Sequence, residues 1–159
     1  MKLKVKKLHE DAIIPTRTNP DDCGLDVYAL EDVKIYSGQT KKIRTGISLQ
    51  LDVDYRVEKK FGLFIWDRSG LGSRGIHRFA GCIDQGYSGE VLVVLFNAQL
   101  EDVSTGSGHG PNYYIPYQIK KGDKIAQVVI QEIFTPEIVV VDELDSTDRG
   151  ENGFGSSGK

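Results

Sequence analysis

Residues 80–97 read AGCIDQGYSGEVLVVLFN. An apolar approach reaches Asp84, a glycine-containing turn carries Tyr87, and the stretch from Glu90 to Asn97 is then mostly Val, Leu and Phe. β-Branched and aromatic residues in a short run bounded by turn residues predict a strand leaving a hairpin. An aspartate at the mouth of such a hairpin is commonly a turn former. The sharper reading is a carboxylate that orients a water as general base, with Tyr87 as a flat platform for a ring.

The same rhythm recurs along the chain. LKVKKL (3–8), DVKIYS (32–37), GISLQLDV (46–53), FGLFIW (61–66), EVLVVLFN (90–97), YYIPYQI (113–119), KIAQVVIQEIF (124–134) and EIVVVDEL (137–144) all read as strands. NPDDCG, YSGQT, QGYSGE and KKGDK punctuate them with turn residues. No long segment has a helical period, and the one helical candidate is a short turn after Ser69. The predicted fold is all-β, a sandwich or barrel in a single domain over 1–159. A polar, glycine-rich stretch, EDVSTGSGHGPN (101–112), reads as a surface loop, and the tail from Asp145 has too little apolar content to fold alone.

Bulk composition narrows the function classes. A net charge of −3, from 20 basic and 23 acidic residues, argues against a broad nucleic-acid or membrane surface. Any bound anion must therefore be held by a local site. MKLKVKKLHED at the N-terminus has no apolar core of a signal peptide, and no apolar run reaches membrane-spanning length. The expectation is a soluble cytoplasmic protein whose Cys23 and Cys82 are reduced, buried thiols. His9, His77 and His109 are scattered and suggest neither a zinc site nor a Ser–His pair.

Four further segments could carry chemistry. In WDRSGLGSRG (66–75) a strand ends at Arg68-Ser69-Gly70. Unpaired backbone N–H groups, a guanidinium and a hydroxyl there could cradle phosphate, or Ser69 could simply cap a turn. In NPDDCGLDVYAL (19–30), Asp21, Asp22 and Asp26 offer oxygen ligands for Mg²⁺ or Ca²⁺, or form a solvated acidic turn. Gln127 interrupts the apolar strand after KKGDK, where a lone glutamine is ordinarily on the wet face. The tail RGENGFGSSGK (149–159) sets Arg149, Phe154, Ser156 and Ser157 on glycine hinges. It could curl around an anion and stack a base, or be a frayed end, even a linker remnant.

Taken in order, CGLDVYA, DRSG, GCIDQGYSGEVLVVLFN, GDKIAQVVI and RGENGFGSSG resemble the five motifs of the trimeric all-β dUTPase family, over about Pro15 to Lys159. The resemblance implies a jelly-roll-like protomer with one short helix and a flexible C-terminal arm, in a homotrimer with shared active sites. It implies hydrolysis of dUTP to dUMP and pyrophosphate, which limits uracil in DNA and supplies dUMP for thymidylate synthesis. Asp84 would deprotonate the water that attacks the α-phosphorus. The backbone from Gly81 through Ile83 to Tyr87 would read the uracil edge, and Tyr87 would exclude a 2′-hydroxyl. Arg68, Ser69 and Gly70 would hold phosphates of a neighbouring subunit's substrate, and Gln127 would contact phosphates or water. Asp26 would touch the water shell of a Mg²⁺ held mainly by the triphosphate. The tail 145–159 would be a lid, with Phe154 on uracil and Arg149, Gly155, Ser156 and Ser157 on the outer phosphates.

Two features depart from that pattern. Asp67 stands where the family often has proline, which puts a carboxylate beside a phosphate cradle. The gap before the fourth motif carries an insertion, about 101–118, similar to those of some bacteriophage members. It is either a tolerated loop or a docking site for a protein partner. The alternative function is accordingly a dUTP-sensing regulatory protein acting through loop 101–118. The related dCTP deaminases carry a glutamate on the strand after the turn, where this chain has Val94, which cannot shuttle protons.

Overall fold

A computed structural model describes residues 1–53, 59–99 and 116–151. Eleven strands run in chain order: β1 (Lys2–Lys7), β2 (Leu25–Tyr28), β3 (Val33–Ile35), β4 (Thr40–Arg44), β5 (Ile47–Asp52), β6 (Lys60–Trp66), β7 (Ile76–Phe79), β8 (Cys82–Ile83), β9 (Leu92–Asn97), β10 (Tyr117–Ile119) and β11 (Lys124–Ile133). One helical turn, α1 (Ser69–Gly72), follows β6. The strands pair antiparallel in four groups: β2-β11-β6-β8, β4-β9-β7, β1-β5 and β10-β3.

Period-two sequence becomes two-faced strands. On β9, Val93, Leu95 and Asn97 point inward while Leu92, Val94 and Phe96 face out. Ile47, Leu49 and Leu51 of β5, Leu63 and Ile65 of β6, and Ile125, Ala126 and Val128 of β11 complete one buried cluster. Asn97 is tolerated there because its amide is satisfied: Nδ2 donates to the Ile35 carbonyl (3.0 Å) and Oδ1 accepts from the Gln99 N–H (2.9 Å).

Several expectations are corrected. The segment 137–144 forms no strand; every residue from 134 to 151 is exposed, and no strand among the described residues pairs with it. Its composition suits a strand, but a strand needs a neighbouring edge. Within 113–119 only Tyr117–Ile119 is a described strand, so the last residues of the expected loop 101–118 belong to β10; residues 100–115 lie outside those described. β2, β4, β7 and β8 were not legible from the pattern. Both cysteines are free, as expected, but exposed rather than buried, Cys23 on the 19–24 turn and Cys82 on the short strand β8.

Candidate active site

β6 organises the residues singled out by sequence. It pairs with β11 on one side, Gln127 opposite Trp66, and with β8 on the other, Ile83 opposite Leu63 and Cys82 opposite Phe64. β11 in turn pairs with β2, Gln127 opposite Asp26. Asp26, Gln127 and the Arg68 loop therefore gather at the C-terminal end of β6. Asp84, one residue past Ile83, falls toward the N-terminal end. By that register Asp84 falls beside Gly62, four residues before Trp66, about 13 Å at 3.3 Å per residue.

At the Arg68 end, Asp26 is held by two cations. Arg68 Nε donates to Oδ1 (2.9 Å) and Lys124 Nζ lies 2.7 Å from Oδ2, with the carboxylate only 14% exposed. Arg68 also donates from Nη1 to the Lys124 carbonyl (3.2 Å), which fixes the plane of its guanidinium. With both oxygens matched to cations, Asp26 is poorly placed to ligate a divalent ion directly, and fits contact through a water shell. Among the described residues no three His, Cys, Asp or Glu side chains converge as a metal cage.

Ser69 opens α1; Arg68 is the N-cap and makes no side-chain capping bond, so the capping role considered for Ser69 is not the one observed. The helix begins its internal bonds at Leu71 and Gly72, both donating to the Arg68 carbonyl. The Ser69 and Gly70 N–H groups are left without partners among the described residues. A Cβ at Gly70 would meet nothing within 4 Å, so packing does not demand glycine there and the backbone stays open to a ligand. An adjoining cleft of about 450 Å³ is lined by Arg68, Gly70, Arg74 and Lys124 above Leu71 and Ile125. Asp84 is not among its walls. Arg74 and Lys124 were not anticipated as site cations; the only signal was a basic residue beside each recognised motif.

Asp67 turns away from the cradle. Its Oδ1 accepts from the Arg78 N–H (2.8 Å), Oδ2 faces His77 Nδ1 (3.5 Å), and its carbonyl accepts from Gln127 Nε2 (2.8 Å). The carboxylate thus spends its charge on β7, and Gln127 braces the Arg68 loop against β11. Arg78 in turn lies over the Trp66 ring, 5.2 Å from its centroid.

The segment leading to Asp84 starts beside the C-terminal end of β6, where the Gly81 carbonyl accepts from the Ile65 N–H (2.7 Å), and runs back along β6 to a turn closed from the Tyr87 N–H to the Asp84 carbonyl (2.9 Å). The turn uses the Asp84 backbone only. Its exposed carboxylate makes no hydrogen bond or ion pair among the described residues. Arg149 sits in an exposed turn closed by Gly150 N–H on the Thr147 carbonyl (3.0 Å). Phe154, Gly155, Ser156 and Ser157 lie outside the described residues. Val94 faces outward between Lys42 and Phe79, with no carboxylate in its place.

The family model for dUTPase matches residues 10–109 and 113–158. The chain belongs to the dUTPase family. It is 37% identical over 162 residues to the deoxyuridine 5′-triphosphate nucleotidohydrolase of Nautilia profundicola, covering all of both chains. A Staphylococcus bacteriophage 80alpha dUTPase structure with dUPNHPP aligns at TM-score 0.80 and 29% identity, covering 99% of each chain. A mutant dUTPase of phage phi11 of S. aureus, described with a coordinated structural Mg(II) ion, aligns at TM-score 0.73 and 26% identity over 90% of this chain and 98% of that one. The all-β, jelly-roll-like class with one short helix is thus the fold observed. Among the described residues no helix is long and apolar enough to cross a membrane.

Proposed function

We propose that this dUTPase-family chain hydrolyses dUTP to dUMP and pyrophosphate in the cytoplasm, as a homotrimer whose sites are shared between subunits. The observation that carries this reading is the uncommitted Asp84 carboxylate on the family's nucleoside-binding hairpin. Asp84 takes a proton from a water molecule, the water oxygen bonds to the α-phosphorus, and the bond from that phosphorus to the pyrophosphate oxygen breaks. The uracil edge is read by backbone from Gly81 through Ile83, with Tyr87 under the sugar.

The phosphates need cations and free N–H groups, and these lie at the far end of β6. The Arg68, Ser69 and Gly70 cradle, with Asp26 and Gln127 behind it, is assigned to a neighbour's substrate, as the resemblance to the family implies. The exposed apolar arm from Phe134 to Leu144 supports the same assembly, since it needs a partner edge. The lid residues Arg149, Phe154, Gly155, Ser156 and Ser157 close over the nucleotide from that arm. Mg²⁺ bound with the triphosphate would offset its charge, and Asp26 would touch its water shell.

The test is pyrophosphate release with Mg²⁺ from dUTP, dCTP, dTTP and UTP side by side. Selective turnover of dUTP is expected. Equal turnover of all four, or none, would overturn the proposal.

A further inference from the structure

One carboxylate next to the Asp84 turn has no part in the reaction described so far. Glu90 lies at the base of the turn with its side chain only 20% exposed. Its Oε1 accepts from the Gly46 N–H (2.8 Å), and both oxygens face Arg44 Nε, at 3.2 and 3.1 Å. Gly46 is itself immovable: it holds φ +70°, and a Cβ there would press on Ala12, Leu30 and His9. Ser48 Oγ adds a second tie from β5, donating to the Ser88 carbonyl (2.8 Å).

What this anchor holds is Tyr87. The Tyr87 hydroxyl donates to the Glu90 carbonyl (2.9 Å), so the ring folds back over its own turn. It lies directly on Gly89, where a Cβ would come within 2.5 Å of the hydroxyl oxygen and 2.7 Å of Cζ. An exposed tyrosine on a hairpin ordinarily samples several rotamers. Here the side chain is fixed at its tip by Glu90 and along its face by a glycine that leaves room for it.

We infer that Glu90, gripped by Arg44 and Gly46, is a positioning residue that holds the Tyr87 ring as a rigid wall, and so sets the preference for a 2′-deoxynucleotide over a ribonucleotide. The inference rests on the proposed dUTP hydrolysis. Its logic is steric: a wall excludes one extra hydroxyl only if it cannot move aside. An apolar surface alone discriminates weakly against an added hydroxyl.

The test measures kcat/KM for dUTP and for UTP in the wild type, Glu90→Ala, Glu90→Gln, Tyr87→Phe and the Glu90→Ala/Tyr87→Phe pair. Glu90→Ala and Tyr87→Phe should each lower the dUTP:UTP ratio about five- to tenfold, the scale of one lost hydrogen bond. For Glu90→Ala the change should fall on KM for dUTP and on turnover of UTP, with kcat for dUTP within about twofold. The pair should be no worse than Glu90→Ala, because the Glu90 side chain acts on the ring through the backbone carbonyl that the Tyr87 hydroxyl bonds. Glu90→Gln keeps an acceptor for Gly46 and should restore most of the ratio. A folded Glu90→Ala with the wild-type ratio, or equal losses on both substrates, overturns the inference. If Glu90→Ala does not fold, Arg44→Met and Tyr87→Phe decide it by the same ratio. A wild type that does not turn over dUTP overturns the functional reading instead, a result distinct from a selective enzyme whose variants keep its ratio.

Discussion

Asp84 and Asp67 both stand in segments we assign to the nucleotide, yet of the two only Asp84 has its oxygens uncommitted among the described residues. Asp67 spends its carboxylate on the Arg78 N–H and on His77, so the charge that looked misplaced next to a phosphate cradle faces β7 instead. Asp84 supplies only its carbonyl to the turn. Replacing Asp84 by Asn keeps size and turn geometry and removes the base. The expected result is at least a 100-fold fall in kcat with dUTP affinity nearly unchanged. Single-turnover kinetics beside calorimetric titration check this, and a near-normal kcat would remove Asp84 from proton transfer. The residue types were readable from sequence because motif order selected them. Their commitments were not, since Gln127 bonding to the Asp67 carbonyl depends on a pairing between distant strands.

Elements were legible in proportion to how much of them is buried on one face. β9 alternates cleanly and β5, β6 and β11 carry runs of buried apolar residues; all four were anticipated within a residue or two at each end. β4 reads Thr-Lys-Lys-Ile-Arg and buries only Ile43, so its pattern is nearly all polar; its order comes from pairing with β9. The Lys120–Asp123 turn shows how such polar elements are fixed. Asp32 accepts from the Lys121 N–H (2.8 Å) and from Lys120 Nζ (3.0 Å), while Asp11 pairs with Lys121 Nζ (2.8 Å). The Lys121 N–H first, then Lys120, holds the Asp32 carboxyl below the usual aspartate range. A folded-state value below the unfolded one stabilises above the ordinary aspartate pKa, and that contribution is lost as pH falls through the lowered value. Asp32→Ala should therefore melt below the wild type at neutral pH, with the gap closing as pH drops under about 4. The site is solvent-exposed, so the gap should be small and shrink in salt. Melting curves across pH check it; a gap that widens in acid would contradict the assignment.

At the scale of the whole molecule, the protomer leaves two things unfinished. Its candidate site residues are spread along β6, and its arm leaves Phe134, Ile138, Val140 and Leu144 at 89, 90, 94 and 89% exposure. The sequence showed the arm as a strand for a good reason, since its composition is that of one; what it could not show is that no strand among the described residues offers it an edge. Burying each such side chain is worth about 1.5–3 kcal/mol, so an unpaired arm is an unstable arrangement in water and a strong drive to assemble. Truncation after Asp148 should leave the assembly intact, because it spares 134–144, yet abolish most turnover by removing the lid. Ile138→Asp/Val140→Asp should do the reverse in origin: none of these side chains belongs to the buried cluster, so the β-sheet signal should persist while the oligomer dissociates. Turnover should then fall with the trimer fraction, because Asp84 on one subunit loses the Arg68 cradle of another. Sedimentation velocity and pyrophosphate release, read on the same samples across concentration, separate the cases. A monomer that hydrolyses dUTP at the full rate would show that one protomer spans β6 by itself, and the shared-site reading would fall.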